Sequence, residues 1–355
     1  MQRIGIVTAG GDCPGLNAVI RGVVKTAQND YGVEVFGIRD GFVGMVTYKG
    51  DERGKILTNR DASGILAVGG TILGTARGDV FEAAGTKEGD YSIFEEAFSS
   101  MKIDALICTG GDGTQRMAQK LHTHGFPVVG IPKTIDNDLM ETDVTFGFNS
   151  AVTIIMEAID NLHSTAMSHH RALVVEVMGR DVGWLALVAG VAGGGDVILI
   201  PETPYEEQAI FDCALERSRK GKRFSIVVVA EGVKPNDKNA PQKEIARYLS
   251  SLIEKETGIE TRPVILGHLQ RGGPPTAFDR ILATQFAVKA VDLVMEGRFG
   301  EMAAIQGNDF VSVPISQATK GLKRVPLDHP LIRSAVSVGT SFGSREIDKR
   351  QKDKS

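Results

Sequence analysis

The stretch IGIVTAGGDCPGLNAVIRGVVKTAQ, residues 4–28, predicts the fold of the chain around it. Residues 4–8 are an apolar run typical of a buried strand, and residues 9–15 contain three glycines and a proline. Residues 16–28 place valines on one face of a helix and polar side chains on the opposite face. A strand, a glycine-rich loop and a helix form the unit of a parallel α/β sheet, and such sheets bind ligands at the loops that follow their strands.

The same alternation of buried strands and amphipathic helices continues along the chain. Further strands are predicted at residues 104–109, 127–131, 172–177, 197–200, 225–230 and 264–266, and helices at 114–122, 182–191 and 276–295. A single core stops growing near ~250–300 residues, and this chain has 355. We therefore expect an α/β protein with two lobes, each with a mostly parallel sheet flanked by helices.

Composition narrows the class of protein. The net charge of −4 and the pI of about 6.0 argue against a general nucleic-acid or membrane-surface binder. The longest uncharged run near residues 182–195 is shorter than the ~20 residues that cross a bilayer, and Asp12 comes too early for a secretory signal. Three widely spaced cysteines give neither a disulfide framework nor a metal motif. We expect a cytoplasmic protein with no nucleic-acid or membrane partner.

Polar, chemically capable residues cluster directly after the predicted strands. Any one cluster is equally well explained as a turn, because loops favour Gly, Asp and Asn. Together they are expected to converge on one crevice at the carboxyl ends of the strands. The clusters lie at residues 10–12, 110–114, 133–138, 178–180, 231 and 268–271.

The segment GGDGT, residues 110–114, indicates a phosphoryl-donor site. The chain has no Walker A motif, and Arg116 stands where a dinucleotide fingerprint requires its third glycine. Glycines before a helix N-terminus nevertheless suit phosphate binding, and Asp112 can hold Mg²⁺ on phosphate oxygens. By itself this segment is compatible with several kinase families.

Several further segments carry a resemblance to a known family. The loop PKTIDND at residues 132–138 holds two carboxylates two residues apart, which can divide proton abstraction from cation and charge handling. With TAGGDCPGLN at 8–17 and GGDGT, this loop is similar to segments of the 6-phosphofructokinase family. Matching segments also lie at residues 168–171, 175–180 and 266–273, so that the resemblance covers residues 3–340.

The resemblance implies the reaction. ATP would transfer a phosphoryl group, with Mg²⁺, to the 1-hydroxyl of fructose 6-phosphate, giving fructose 1,6-bisphosphate in glycolysis. It also implies an active site in the cleft between the lobes. The donor lobe would comprise residues 1–138 with about 301–343, and the sugar-phosphate lobe residues 139–300. The highly charged segment 344–355 is expected to be a disordered tail. Two alternatives stay open, the same transfer from pyrophosphate and a non-catalytic sugar-phosphate or nucleotide sensor.

The resemblance also assigns roles to individual residues. Asp136 corresponds to the general base, and Asp112 to the magnesium ligand. The catalytic group comprises Thr134, Asp136, Asp138 and Arg180. The ATP contacts correspond to Gly11, Arg77, Gly78, Gly111, Asp112, Gly113 and Thr114. The substrate contacts correspond to Thr134, Ile135, Asp136, Arg171, Met178, Gly179, Arg180, Glu231, Arg262, His268, Leu269, Gln270 and Arg271.

Three positions depart from the pattern of bacterial ATP-dependent members. Phe42 stands in place of a tyrosine, and Met117 in place of a glycine that makes room for adenine. Lys133 is typical of pyrophosphate-dependent members, whereas Gly113 is typical of ATP users because aspartate is frequent there in pyrophosphate enzymes. An aspartate would repel the α-phosphate of ATP, so we expect ATP as the donor, with Gly113 and Lys133 as the specificity positions.

The family resemblance further implies a homo-oligomer, a dimer or a homotetramer. Arg171 and Arg262 would reach the 6-phosphate in a neighbouring subunit. A basic cluster resembles the family's allosteric effector site, although a solvated basic face explains it equally well. That cluster comprises Arg21, Lys25, Lys220 and Lys222, with His163 in place of an arginine and Asp196 in place of a glutamate.

Overall fold

The computed structural model describes residues 1–353. The chain forms two compact units. Unit 1 comprises residues 1–150 with 271–322, and unit 2 comprises residues 151–270 with the segment from 323 to the end of the described chain.

The elements alternate as the sequence predicts. The strands are β1 (Arg3–Thr8), β2 (Glu34–Ile38), β3 (Gly54–Leu57), β4 (Ala105–Gly110), β5 (Val128–Thr134), β6 (Phe146–Gly147), β7 (Ala172–Val177), β8 (Val197–Leu199), β9 (Ser225–Ala230), β10 (Thr261–Ile265), β11 (Glu301–Gln306) and β12 (Asp309–Pro314). The helices are α1 (Leu16–Tyr31), α2 (Gly41–Thr47), α3 (Val80–Ala83), α4 (Ser92–Met101), α5 (Asp112–Thr123), α6 (Phe148–His169), α7 (Trp184–Ala192), α8 (Glu207–Arg219), α9 (Ile245–Thr257), α10 (Ala277–Met295), α11 (Ile315–Ala318), α12 (Pro330–Ser337) and α13 (Arg345–Asp353).

Unit 1 is built on a sheet of eight strands in the order β12-β11-β5-β4-β1-β2-β3, with β6 paired to β5. Only the two pairs at its ends, β2 with β3 and β11 with β12, are antiparallel. The central strands β1 and β4 are almost wholly buried, which is typical of parallel strands covered on both faces. Helices α1 and α10 pack so closely that a Cβ at Gly22 would lie 2.5 Å from the Cβ of Ala287.

Unit 2 contains an all-parallel sheet in the order β10-β7-β9-β8. Its two central strands, β7 and β9, are buried along their whole length. Together the two sheets confirm the predicted α/β class with mostly parallel strands flanked by helices.

The division of the chain differs from the predicted lobes. Helix α10 belongs to unit 1, not to the sugar-phosphate lobe, because it packs on α1 and its Asp279 accepts hydrogen bonds from Ser150. Residues 323–343 belong to unit 2, where Ser341 forms a parallel bridge with Val197 and Lys323 O accepts from Trp184 Nε1 at 2.7 Å.

The structure also differs from the expected disordered tail at residues 344–355. Residues 345–353 form α13, whose Ile347 and Gln351 lie one turn apart and are both buried. Asp348 accepts from Ser341 Oγ at 2.7 Å and from Phe342 N at 3.0 Å, and Gln351 Nε2 donates to Leu327 O at 2.9 Å. These contacts stabilise the helix despite its charge. Residues 354–355 of the expected tail lie outside the described part.

Across residues 1–353, no helix combines the length and the apolar character that crossing a membrane requires.

Candidate active site

Three cationic side chains converge on the backbone of the loop between β1 and α1. Lys133 Nζ donates a hydrogen bond to Gly11 O, and Arg271 Nη1 donates to Asp12 O at 3.1 Å. A Cβ at Gly11 would lie 2.6 Å from Arg271 Nη1 and closer still to Arg77 Nη2. Only glycine therefore lets both guanidinium groups approach this backbone. We call Lys133, Arg77 and Arg271 the cation cluster.

The electrostatics of the cation cluster favour an anion. Burial lowers the pKa of Lys133, whose side chain is only 3% exposed, and the charges of Arg271 and Arg77 lower it further. Cys13 and Asp136 act in the opposite direction on the same pKa. The Nε of Arg271 is buried without a hydrogen-bond partner in the described chain. Since buried donors are normally satisfied, the cluster has the charge and the donors to bind phosphate.

Hydrogen bonds from the β1 region hold the segment that carries Arg77. Thr75 Oγ1 donates to Gly10 O at 2.6 Å, and Thr8 Oγ1 donates to Gly74 O at 2.8 Å. The amide of Asn17 donates to Val68 O at 3.1 Å. The loop before Arg77 is therefore fixed to β1 and to the start of α1, as a phosphate-binding side chain requires.

The GGDGT segment forms the end of β4 and the first turn of α5. Gly111 is the N-cap, so the first amides of α5 are available to an anion. Asp112 is the first helical residue, and both of its carboxylate oxygens accept from Arg116 Nε at 2.9 Å. Gln115 Nε2 donates to Cys108 O, Gly110 O and Ile131 O, which holds the ends of β4 and β5 together.

The loop of Asp136 is fixed on both sides. Thr134 Oγ1 accepts from Asp136 N at 3.0 Å, and Thr145 Oγ1 donates to Thr134 O at 2.7 Å. Asn137 adopts a left-handed conformation with φ of 53°, and its Oδ1 accepts from Thr145 N at 3.1 Å. The side chains of Asp136 and Asp138 are both buried. The backbone around Asp136 is thus held in place directly after β5, the strand that carries Lys133.

The remaining predicted ATP contacts also lie in unit 1. Gly78 is exposed and has φ of 141°, and Thr114 is buried beneath the loop, where a Cβ at Gly10 would lie 3.6 Å from its Oγ1. Ile135 is fully buried. A Cβ at Gly113 would meet no atom within 4 Å, so the space beside this position is open.

Unit 2 holds most of the predicted sugar-phosphate residues after β7, β9 and β10. Met178 N donates to Gln270 Oε1 at 3.1 Å, and Arg180 N donates to Glu231 Oε1 at 2.9 Å. Arg180 has φ of 53° and an exposed guanidinium 3.5 Å from Asp181. Gly179, which lies between Met178 and Arg180 in the chain, has φ of 128°. Backbone hydrogen bonds thus bring the ends of these strands together.

The turn at the end of β10 presents two exposed residues. His268 and Leu269 lie in a 3-10 helix over Gly267–Arg271, and Leu269 is 71% exposed. Arg271, also predicted as a sugar-phosphate contact, lies in unit 1, where its Nη1 donates to Asp12 O.

Arg171 and Arg262, predicted to reach a neighbouring subunit, are close together in unit 2. Arg171 Nε lies 2.7 Å from Glu260 Oε2, and Arg262 forms ion pairs with Glu260 at 2.6 Å and with Glu254 at 3.2 Å. The hydrogen bond from Arg171 lowers the pKa of the exposed Glu260 carboxyl. Both guanidinium groups therefore lie at one solvent-accessible position.

The predicted effector residues are divided between the units. Arg21 and Lys25 lie on α1, and Lys220 and Lys222 lie at the exposed end of α8, where Lys220 pairs with Glu216 at 2.6 Å. Asp196 pairs with Arg217 at 2.6 Å and accepts from Ile226 N at 2.9 Å. His163 Nε2 lies 2.8 Å from Gly193 O. Both departures from the family pattern are thus engaged in local contacts.

The sequence reasoning missed residues that hold the site together. Asn17 and Gln115 position loops, and Arg116 holds the candidate magnesium ligand. The spacing of four residues between Asp112 and Arg116 on a helix is a signal that predicts such an ion pair. Phe42 is buried in the core of unit 1 beside Phe94, with ring centroids 6.4 Å apart.

Comparisons with known proteins show which family the chain resembles over most of its length. The model of the phosphofructokinase family matches residues 3–294. The chain is 48% identical to ATP-dependent 6-phosphofructokinase 3 of Bacteroides thetaiotaomicron over 344 residues, which cover 96% of this chain and 100% of the relative.

Two solved structures share the fold. The phosphofructokinase of Saccharomyces cerevisiae matches with a TM-score of 0.80 and 33% identity, and the match covers 100% of this chain and 48% of the yeast chain. A pyrophosphate-dependent phosphofructokinase from Marinobacter aquaeolei matches with a TM-score of 0.79 and 21% identity, covering 99% of this chain and 91% of that one. The family match over most of the chain and the 48% identity together show that the chain belongs to the phosphofructokinase family.

Proposed function

We propose that this chain is an ATP-dependent 6-phosphofructokinase of glycolysis. It transfers the terminal phosphoryl group of ATP to the 1-hydroxyl of fructose 6-phosphate. The observation that carries the proposal is that the buried Asp136 comes three residues after Lys133, whose Nζ donates to Gly11 O within the cation cluster. A phosphate held by these cations places its transferable group next to a buried carboxylate. The 48% identity to a relative named for this reaction supports the assignment.

Asp136 acts as the general base in this proposal. Its carboxylate takes the proton of the attacking hydroxyl, while the hydrogen bond between its own N–H and Thr134 Oγ1 holds the loop in place. Arg77 and Arg180 offset the negative charge that develops on the transferring group. Thr134 and Asp138 complete the catalytic group.

Asp112 is the residue proposed to hold Mg²⁺. Among residues 1–353, no group of three or more His, Cys, Asp and Glu side chains is arranged to hold a metal alone. Magnesium in phosphoryl-transfer sites uses one or two carboxylates together with substrate phosphates, so a single aspartate at a helix N-terminus fits it. The ion would neutralise charge on the phosphate oxygens. Arg116 would have to release Asp112 for this ligand role.

The sugar phosphate is proposed to bind residues of unit 2, with 178–180, Glu231 and 268–270 at its centre. We further propose that the enzyme is a homotetramer or homodimer in which Arg171 and Arg262 bind the 6-phosphate in a neighbouring subunit. Arg21, Lys25, Lys220 and Lys222 are proposed as an effector site. All three cysteines are free thiols, which supports a reducing cytoplasm.

The second candidate is pyrophosphate-dependent transfer, which the buried Lys133 favours. Lys133 attracts either donor, because both carry the transferring phosphoryl group. The open space at Gly113 admits the additional α-phosphate of ATP. A permissive cavity discriminates between the donors and a shared attraction does not, so the geometry supports ATP.

Turnover with fructose 6-phosphate, comparing ATP with pyrophosphate, tests the proposal. We expect a higher kcat/KM with ATP, and Gly113→Asp should reduce ATP turnover most. Asp136→Ser should lower kcat by ~10²–10⁴ with little change in KM. A higher kcat/KM with pyrophosphate would reverse the donor assignment. A wild-type kcat in Asp136→Ser would exclude Asp136 as the general base. No turnover of the wild type with either donor would leave the non-catalytic sensor as the remaining alternative.

A further inference from the structure

A buried carboxylate outside the predicted site lies beneath the Asp136 loop. Asp279, in the first turn of α10, is 0% exposed. Its Oδ2 accepts from Ser150 N at 2.7 Å and from Ser150 Oγ at 2.6 Å, and the amide of Gly147 also faces it. Burial of a carboxylate is costly unless hydrogen bonds compensate for the lost water. Asp279 therefore holds the N-terminus of α6 firmly, through donors that belong to a short segment of unit 1.

That segment, residues 145–150, contacts the Asp136 loop directly. Strand β6 pairs with β5 in the register Lys133 with Phe146 and Thr134 with Gly147. Thr145 donates its hydroxyl to Thr134 O and its N–H to Asn137 Oδ1. Thr134, two residues before Asp136, and Asn137, directly after it, are thus both held by Thr145. A movement of residues 145–150 would be transmitted to Asp136.

The same segment also contacts the loop that the cation cluster surrounds. Cys13 Sγ lies 3.8 Å from Phe146 O, and a Cβ at Gly147 would lie 2.5 Å from Cys13 Sγ. A Cβ at Gly15 would lie 2.7 Å from the ring of Phe146. Residues 145–150 therefore contact both the Asp136 loop and the segment that runs from the Gly11 loop to α1.

From these contacts we propose that Asp279 is a positioning residue for phosphoryl transfer. It acts through residues 145–150, which it anchors, and sets the distance between the Asp136 carboxylate and the phosphate site. The inference rests on the proposed function and adds a residue that touches neither substrate. Misplacement of a reacting group by about 1 Å can lower the rate ~10²-fold. A buried anchor that fixes the position of the Asp136 loop can therefore affect the rate without touching a substrate.

The test compares Asp279→Asn with Asp292→Asn. Asparagine keeps the volume but removes the charge, so the two Ser150 donors lose a charged acceptor and a buried NH₂ group replaces one carboxylate oxygen. Asp292 is a matched control, since it lies on the same helix and its Oδ1 accepts a hydrogen bond from the exposed Tyr31 hydroxyl at 2.8 Å. Kinetics with fructose 6-phosphate and ATP are measured well below the Tm of each variant. We expect kcat to fall by ~10–100-fold in Asp279→Asn, with KM for both substrates within threefold. Asp292→Asn should match the wild type.

Alkylation of Cys13 provides a readout independent of activity. Iodoacetamide labelling mapped by mass spectrometry should modify Cys13 at least ~10-fold faster in Asp279→Asn, because residues 145–150 no longer cover its thiol. Where Asp279→Asn does not fold, Ser150→Ala removes the hydroxyl that donates to Asp279 at 2.6 Å and accepts from Thr276 N at 3.0 Å, and it should lower kcat by ~3–10-fold.

Three outcomes overturn the inference. A kcat within twofold of the wild type in folded Asp279→Asn excludes a positioning role. An unchanged kcat in Ser150→Ala does the same if the first variant is unfolded. A reduced kcat with unchanged Cys13 labelling excludes residues 145–150 as the route. If the wild type itself shows no turnover, the proposed function fails, whereas the labelling comparison still tests the anchor.

Discussion

Gly11→Ala should uncouple donor binding from folding stability. The new methyl group would lie 2.6 Å from Arg271 Nη1 and nearer to Arg77 Nη2, so both guanidinium groups must move. Both contacts are the far ends of flexible side chains, and Arg77 is exposed. Relocating them costs the fold little, about 1 kcal/mol for the hydrogen bond from Arg271 to Asp12 O.

Donor affinity should respond much more strongly. A hydrogen bond to a charged group contributes ~1.5–3 kcal/mol, and each 1.4 kcal/mol is about tenfold in affinity. Displacing one arginine from the phosphates should therefore raise the Kd for ATP by ~10–100-fold. We expect kcat to fall as well, by about tenfold, since Arg77 is proposed to act on the transferring group.

The assay is direct ATP binding by calorimetry, together with thermal unfolding of the same samples. Gly321→Ala is the matched control, because a Cβ there meets no atom within 4 Å and its φ is not left-handed. We expect the control to bind ATP like the wild type. A Kd for ATP within twofold of the wild type in Gly11→Ala would refute the role of the cation cluster. A loss of more than about 2 kcal/mol in the free energy of unfolding, measured in the same thermal experiment, would show that Gly11 is required for folding.

Three further predictions concern the charge of the site, the core and the assembly. Burial lowers the pKa of Lys133, so this side chain loses its proton and its charge at a pH below the ordinary lysine value of 10.5. KM for ATP should therefore rise at alkaline pH, and Lys133→Met should abolish that rise. Lys133 binds its proton more tightly in the unfolded chain than in the folded one. Its contribution to the free energy of unfolding should therefore increase as pH rises toward 10.5, which denaturation at several pH values checks. Phe94→Ala should destabilise by ~3–5 kcal/mol, since Phe94 is 0% exposed, whereas Phe278→Ala, at 48% exposure, should cost under ~1 kcal/mol in urea unfolding. Mixing Asp136→Ser subunits with Arg171→Ala subunits should restore activity if the site is shared, and no recovery in mixtures shown to exchange subunits would contradict it.

The strands that the sequence predicted well are buried on both faces. The expected strand at residues 172–177 coincides with β7, and that at 225–230 coincides with β9. Such strands appear in the sequence as continuous apolar runs, so the residue types alone are enough to predict them. Strands β2, β3, β11 and β12 were not predicted, because edge or hairpin strands carry mixed burial and lack such a run.

Two prolines explain further differences. The strand expected at residues 127–131 continues to Thr134, although Pro132 lacks a backbone donor. β11 pairs only with Val129 and Gly130, and β6 begins pairing at Lys133, so Pro132 lies where that side of β5 has no partner. β10 includes Pro263 because it is the edge strand of its sheet. Sequence patterns do not reveal which side of a strand remains unpaired.

The predicted site residues were found from loop chemistry, whereas their supports were not. Asp112 and Asp136 follow strands in glycine- or Asx-rich loops, a pattern visible in one dimension. Asp279 lies 129 residues from Ser150, and nothing local in the sequence predicts that contact. The spacing of Thr276 and Asp279 resembles a capping box, so the sequence predicts that Asp279 marks the start of a helix. It gives no sign that Asp279 also binds Ser150.

The net charge of −4 has the same sign as the two anionic substrates and opposes their binding at long range. Screening resolves the conflict, since the Debye length is ~8–10 Å in physiological salt and exposed acidic groups beyond it contribute little. Lys133, at 3% exposure, lies in a low-dielectric environment where its attraction for a phosphate in contact is much less screened. Recognition is therefore decided by the few charges that surround Gly11 and not by the sum over the surface. Burial lowers the pKa of Lys133, and the charges of Arg271 and Arg77 lower it further, so a phosphate bound in contact with these cations would offset part of the cost of holding them together.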